Sequence, residues 1–147
     1  TKLLSENFPS VHTIEPSQQY FKLAQLNLKN LKNIIFHNGP SEDKFEPICK
    51  SLTGNICFWL DGHFCGSGTF QGTQDTPIKY ELKIISKYIH TFNNVVVLID
   101  DIRLSYTDKS NYPPLEFYVN WAKTNNLLWT IEHDIFIIKS SQLTMYS

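Results

Sequence analysis

Two short runs of nearly uninterrupted apolar residues organise this chain. Asn55–Phe64 reads NICFWLDGHF and Asn94–Arg103 reads NVVVLIDDIR. Each run stops at an acidic residue, Asp61 in the first and Asp100-Asp101 in the second. Apolar runs of about four to six residues without alternation suit strands covered on both faces, as in a parallel α/β sheet. Carboxylates at the C-terminal ends of such strands stand where open α/β sheets bind their ligands. If the two strands are parallel neighbours, three carboxylates and His63 approach one crevice.

The remaining pattern alternates strands and helices, without repeats or low-complexity linkers. Val11–Ile14 reads as a strand ending at Glu15, and a helix follows over about Gln18–Lys29 with Ser17 as its cap. Asn33–His37 is the next strand, closed by the turn cluster Asn38-Gly39-Pro40. Ser41 can cap a helix carrying Phe45, Ile48 and Leu52, with Pro47 expected to kink it or mark its true start. After Ile56–Leu60 comes Gly62–Thr76, a long polar loop with Phe64 and Phe70, read as a lid over substrate. Thr76-Pro77 opens a helix with Ile78, Leu82, Ile85 and Ile89 at helical spacing, and Val95–Ile99 is the following strand. Beyond the polar connection Leu104–Asn111, Tyr112-Pro113-Pro114 precedes a helix with Leu115, Val119 and Ala122. Leu127–Glu132 and Ile135–Ile138 flank His133-Asp134 and predict an antiparallel hairpin at the sheet edge. Together the elements predict a doubly wound, three-layer α/β domain with a mostly parallel sheet and an antiparallel C-terminal strand.

Composition narrows the function classes. The chain has 147 residues, 41% hydrophobic and 18% charged, with a formal net charge of -1. That describes one globular domain able to bury a core without staples. It leaves no electrostatic footprint for nucleic acid or an anionic membrane surface. No apolar run approaches the ~18 residues that span a bilayer, and no signal peptide is evident. Cys49, Cys57 and Cys65 form an odd set without paired spacing and read as reduced thiols of a cytoplasmic protein. A zinc site from Cys57, His63 and Cys65 lacks the second ligand pair that such sites show. Thr1–Phe8 reads as the end of a helix, which predicts a preceding segment in the natural protein. A homo-oligomer is left open.

This order of elements and acidic strand ends resembles the class I S-adenosylmethionine-dependent methyltransferases, over Val11 to about Lys139. In that family an acidic residue ends the second strand and binds the cofactor ribose; VHTIE offers Glu15. The end of the third strand approaches the adenine, and HNGPSED offers Asn38, Gly39, Ser41 and Glu42. The metal-dependent O-methyltransferases acting on catechols or sugars are a closer likeness. They carry an Asp after the fourth strand and an Asp-Asn or Asp-Asp pair after the fifth, matched here by Asp61 and by Asp100-Asp101. The resemblance therefore implies S-adenosylmethionine as cofactor, Mg²⁺ as an optional metal on Asp61, Asp100 and Asp101, and His63 as base with Asp61 in the catalytic set. The family's first strand and glycine-rich loop have no counterpart in this sequence. In that fold the first strand lies between the second and the fourth, so the domain reads as N-terminally truncated with the middle of its sheet open.

The implied activity is methylation of a hydroxyl on a small molecule or sugar. One alternative is a non-catalytic, degenerate methyltransferase-like module. The other is a fragment of a nicotinamide-dependent oxidoreductase, because an acidic residue in the place of Glu15 also serves dinucleotide cofactors. Gly66-Ser67-Gly68 is a weak imitation of a phosphate loop, without the helix start and Lys that such loops need. Arg103 reads as a partner for a carboxylate, and His12, His37, His90 and His133 as structural.

Overall fold

The computed structural model describes residues 1–61, 76–107 and 112–141. Their elements are α1 (Lys2–Asn7), β1 (Val11–Glu15), α2 (Gln18–Asn27), β2 (Ile34–Asn38), α3 (Ser41–Ser51), β3 (Gly54–Leu60), α4 (Ile78–Tyr88), β4 (Phe92–Ile99), α5 (Leu115–Thr124), β5 (Leu127–Glu132) and β6 (Ile135–Ser140). The fold is α/β. Strands β1 and β2 form a parallel pair, and a mixed sheet runs in the order β3-β4-β6-β5. Within it β3 and β4 are parallel, whereas β6 runs antiparallel to both β4 and β5.

Local chemistry sets the helix boundaries. The Ser17 hydroxyl accepts the Tyr20 N–H at 3.4 Å and caps α2. Ahead of α4, whose N-cap is Pro77, the Thr76 hydroxyl accepts the Ile78 N–H at 3.4 Å. Helix α3 starts at Ser41, six residues before Pro47. Pro47 removes one hydrogen bond from the helix without ending it, because Phe45, Ile48 and Cys49 anchor that helix by burial.

The core lies on one face of the mixed sheet. Register places Phe58 beside Val97 and Val97 beside Ile138, so these side chains share a face with Leu60, Ile99 and Phe136. Helix α3 meets that face through Phe45 against Phe58 at 5.7 Å, and α5 through Tyr118 against Phe136 at 5.6 Å. Helix α4 adds Ile78, Leu82 and Ile85, and the Trp121 indole N–H of α5 donates to its Leu82 carbonyl at 3.0 Å. The opposite face is less covered: Val96 and Leu98 are half-buried and Trp59 is 44% exposed. The apolar runs expected to be buried on both sides are thus buried on one, since α3, α4 and α5 all pack against the same face.

The β1–β2 pair carries helices on both sides. Phe21 of α2 meets Phe36 edge-on at 6.4 Å on one face, while Ile14 on the other joins the core beneath α3. The β5–β6 hairpin turns through His133 and Asp134, both at positive φ (49° and 67°), as the right-handed strand twist favours. No described helix is long and apolar enough to cross a membrane.

Candidate functional site

A cleft of about 730 Å³ lies between the two sheets. Strand β1 lines it from Val11 to Glu15 and β3 from Asn55 to Leu60. Each of these strands has a single neighbour among the described strands, β2 and β4 respectively. Their C-terminal ends deliver Glu15 and Asp61 to the cleft, and the first turns of α3 and α4 deliver Ser41, Glu42 and Glu81.

The carboxyls differ in their setting. Glu15 is half-buried and its Oε1 accepts the Ser17 N–H at 2.8 Å, which orients the carboxylate at the strand end. Asp61 is exposed. Glu81 is only 4% exposed; its Oε1 accepts the Ser41 hydroxyl at 2.7 Å, and its buried Oε2 has no hydrogen-bond partner among the described residues. Burial pushes the Glu81 carboxyl up to about 7, against the Ser41 hydrogen bond and with help from the charge of Glu42. Among the described residues the lining holds four carboxyls and neither lysine nor arginine. Such a surface attracts cations and repels phosphates.

No protein-family model and no curated protein matches this chain.

Several residues singled out from sequence stand outside the cleft wall. Asn38 Nδ2 and the Gly39 N–H both donate to the Glu15 carbonyl, at 2.9 and 3.2 Å, and tie the ends of β1 and β2 together. Gly39 has φ +137°, and a Cβ there would come within 2.6 Å of Lys44. Asp100 lies next to Asp61 in register, but its Oδ1 accepts the Asp101 N–H at 2.9 Å. Asp101 takes a left-handed φ of 56°, and its Oδ1 pairs with Arg103 at 2.5 Å. Arg103 also bonds Asp134 of the hairpin turn, through both its backbone N–H and its guanidinium. Among the described residues, no group of three or more His, Cys, Asp or Glu is placed to hold a metal ion. His63, the zinc candidate Cys65 and the lid with Phe64, Gly66-Ser67-Gly68 and Phe70 lie outside the described residues.

Two features were missed from sequence. Glu81 carried a readable signal, since it falls three residues after Ile78 on the same apolar helix face as Leu82 and Ile85. His12 and His37 bond each other at 3.0 Å with rings stacked at 5.2 Å, and both pKa values are lowered chiefly by burial. Their pairing follows from the β1–β2 register, which sequence periodicity does not specify.

Proposed function

We propose that this chain is an S-adenosylmethionine-binding domain of methyltransferase type, serving methyl transfer to a small-molecule or sugar hydroxyl. The observation that carries this reading is the charge of the cleft. Its described lining holds Glu15 and Asp61 at the C-terminal ends of parallel strands and Glu42 and Glu81 in helix first turns, without a lysine or arginine. A cofactor bearing a sulfonium and an ammonium suits that surface. The pyrophosphate of a nicotinamide dinucleotide does not, which disfavours the oxidoreductase alternative. The gap between β1 and β3 supports the finer fold reading, because the resemblance puts the family's first strand there.

The roles follow from position. Glu15, oriented by the Ser17 N–H, accepts hydrogen bonds from ribose hydroxyls. Ser41 and Glu42 flank the adenosine half, with Asn38 and Gly39 fixing the turn that presents them. Asp61 faces the acceptor side, where His63 is the candidate base. When bound, the sulfonium supplies an electrophilic methyl carbon, and the domain contributes mainly by positioning. Asp100 and Asp101 are engaged in their own turn with Arg103. Among the described residues they form no metal-ligand group with Asp61.

A second reading, a non-catalytic module, is favoured by the same open gap, since the resemblance places the glycine-rich cofactor loop on the strand that would fill it. Calorimetric titration with S-adenosylhomocysteine and with a nicotinamide dinucleotide separates the three. Heat with the first ligand alone supports the proposal, and heat with neither from a folded chain supports the module.

A further inference from the structure

We propose that β5 is the strand through which two copies of this chain pair, β5 against β5 and antiparallel, so that the mixed sheets of both run on as one. The inference is independent of the cofactor reading, because β5 is the edge of the mixed sheet opposite the one that lines the cleft. Among the described strands β5 pairs only with β6. Their connection is the two-residue turn His133-Asp134, so the flanking residues Glu132 and Ile135 exchange both backbone bonds. Alternation then turns Thr130 and Leu128 towards β6 and leaves the N–H and C=O of Trp129 and Ile131 pointing outward. Exposed edges are ordinarily blunted by lysine, proline or a bulge. Here the register with β6 is unbroken, and Leu127–Glu132 carries neither lysine nor proline. Its apolar side chains stand in solvent instead: Leu128 is 53% exposed, Trp129 42% and Ile131 37%.

A second copy supplies what this edge lacks. About a two-fold axis at Thr130, Trp129 lies opposite the partner's Ile131, and Ile131 opposite the partner's Trp129. Each pair joins the outward backbone groups and sets an aromatic ring beside a β-branched side chain. Charge selects this register. Glu132 comes opposite the partner's Leu128, and Leu128 is the register neighbour of Lys139 on the same sheet face. The carboxylate of each copy therefore reaches across one apolar side chain to the ammonium of the other. The alternative, Trp129 on Trp129, sets Glu132 against Asn126, which lies outside β5.

Sedimentation equilibrium of the wild-type chain is compared with Ile131→Lys, Glu132→Lys and the double variant Glu132→Lys/Lys139→Glu, and circular dichroism confirms that each is folded. The wild type is expected to pass from one chain to two as its concentration rises, and to stop at two. Ile131→Lys puts a charge on the exposed edge without removing a β5–β6 bond, and should stay a single chain. Glu132→Lys should weaken the dimer roughly 10-fold, and the double variant should recover it. A wild type that remains a single chain at millimolar concentration overturns the proposal. So does association that survives Ile131→Lys or that grows past two chains. A dimer lost in Ile131→Lys but not recovered by the charge exchange overturns the register.

Discussion

The backbone N–H of Asp100 donates to the Leu60 carbonyl at 3.1 Å. This bond carries the parallel β3–β4 ladder one step past the strands and seats Asp61 beside Asp100. Their surroundings then diverge: Asp61 is exposed at the cleft, whereas Asp100 is tied to the Asp101 N–H. Asp61→Asn is expected to weaken S-adenosylhomocysteine binding ~10-fold with little change in melting temperature. Asp100→Ala should do the reverse, leaving affinity intact and costing about 1 kcal/mol of stability for the lost turn hydrogen bond. Titration and thermal melts on both variants check the contrast.

The one-sided core makes neighbouring residues of β3 unequal. Phe58 is buried between Phe45 and Phe92, with ring centroids at 5.7 and 5.9 Å. Phe58→Ala is expected to cost ~3–5 kcal/mol in urea unfolding. Trp59, pointing to the opposite face and 44% exposed, should cost roughly 1 kcal/mol or less on replacement by alanine. Equal losses would show that the second face is packed as tightly as the first.

Backbone groups along the cleft give a third test. The Val11 N–H donates to Asn33 and the Glu15 carbonyl accepts from Gly39, so alternate residues Val11, Thr13 and Glu15 bond towards β2. His12 and Ile14 then face the cleft, as Cys57 and Trp59 do from β3. Their amides should exchange with solvent at least roughly tenfold faster than those of Thr13 and Phe58. Equal protection would mean that the strands are paired across the gap.

Acid and base act on this fold through different groups. The folded Glu81 carboxyl sits at about 7 against an ordinary 4.5, so the native state holds the extra proton between those values. Its contribution is complete below about pH 4.5 and is lost as pH rises through 7, on the order of 1–3 kcal/mol. Glu81→Gln should remove that slope from urea-unfolding free energies measured across the window. His12 and His37 work in the opposite sense, because burial holds both below 6.5. On acidification the unfolded chain takes up their protons first, and doubly charged imidazoles cannot share the 3.0 Å bond. His12→Asn should therefore flatten the acid limb alone.

Much of the architecture was legible because period and punctuation agree along the chain. The His133-Asp134 step between two apolar runs specified the hairpin, and Ser17 and Thr76 marked their helices. The acidic ends of β1 and β3 were legible for the same reason, and both reach the cleft. What remained hidden depends on direction and register. The left-handed turn at Asp101, which ties Asp100 to the Asp101 N–H and brings Arg103 to the distant Asp134 as well as to Asp101, leaves no mark in the sequence. Pro47 does not mark the start of α3, which begins at Ser41 with Phe45 and Ile48 buried on either side of the proline. Apolarity alone did not reveal that the helices crowd onto one face of the mixed sheet.

The central claim is that the carboxylate-lined cleft receives the adenosine cofactor. Backbone amide spectra of the labelled chain, recorded while S-adenosylhomocysteine is added, test it most directly. The predicted result is saturable shifts concentrated at Glu15, Ser17, Ser41, Glu42, Asp61 and Glu81, with the β5–β6 hairpin unmoved. A well-dispersed spectrum that stays unchanged at millimolar ligand, or shifts confined to residues away from the cleft, would contradict it.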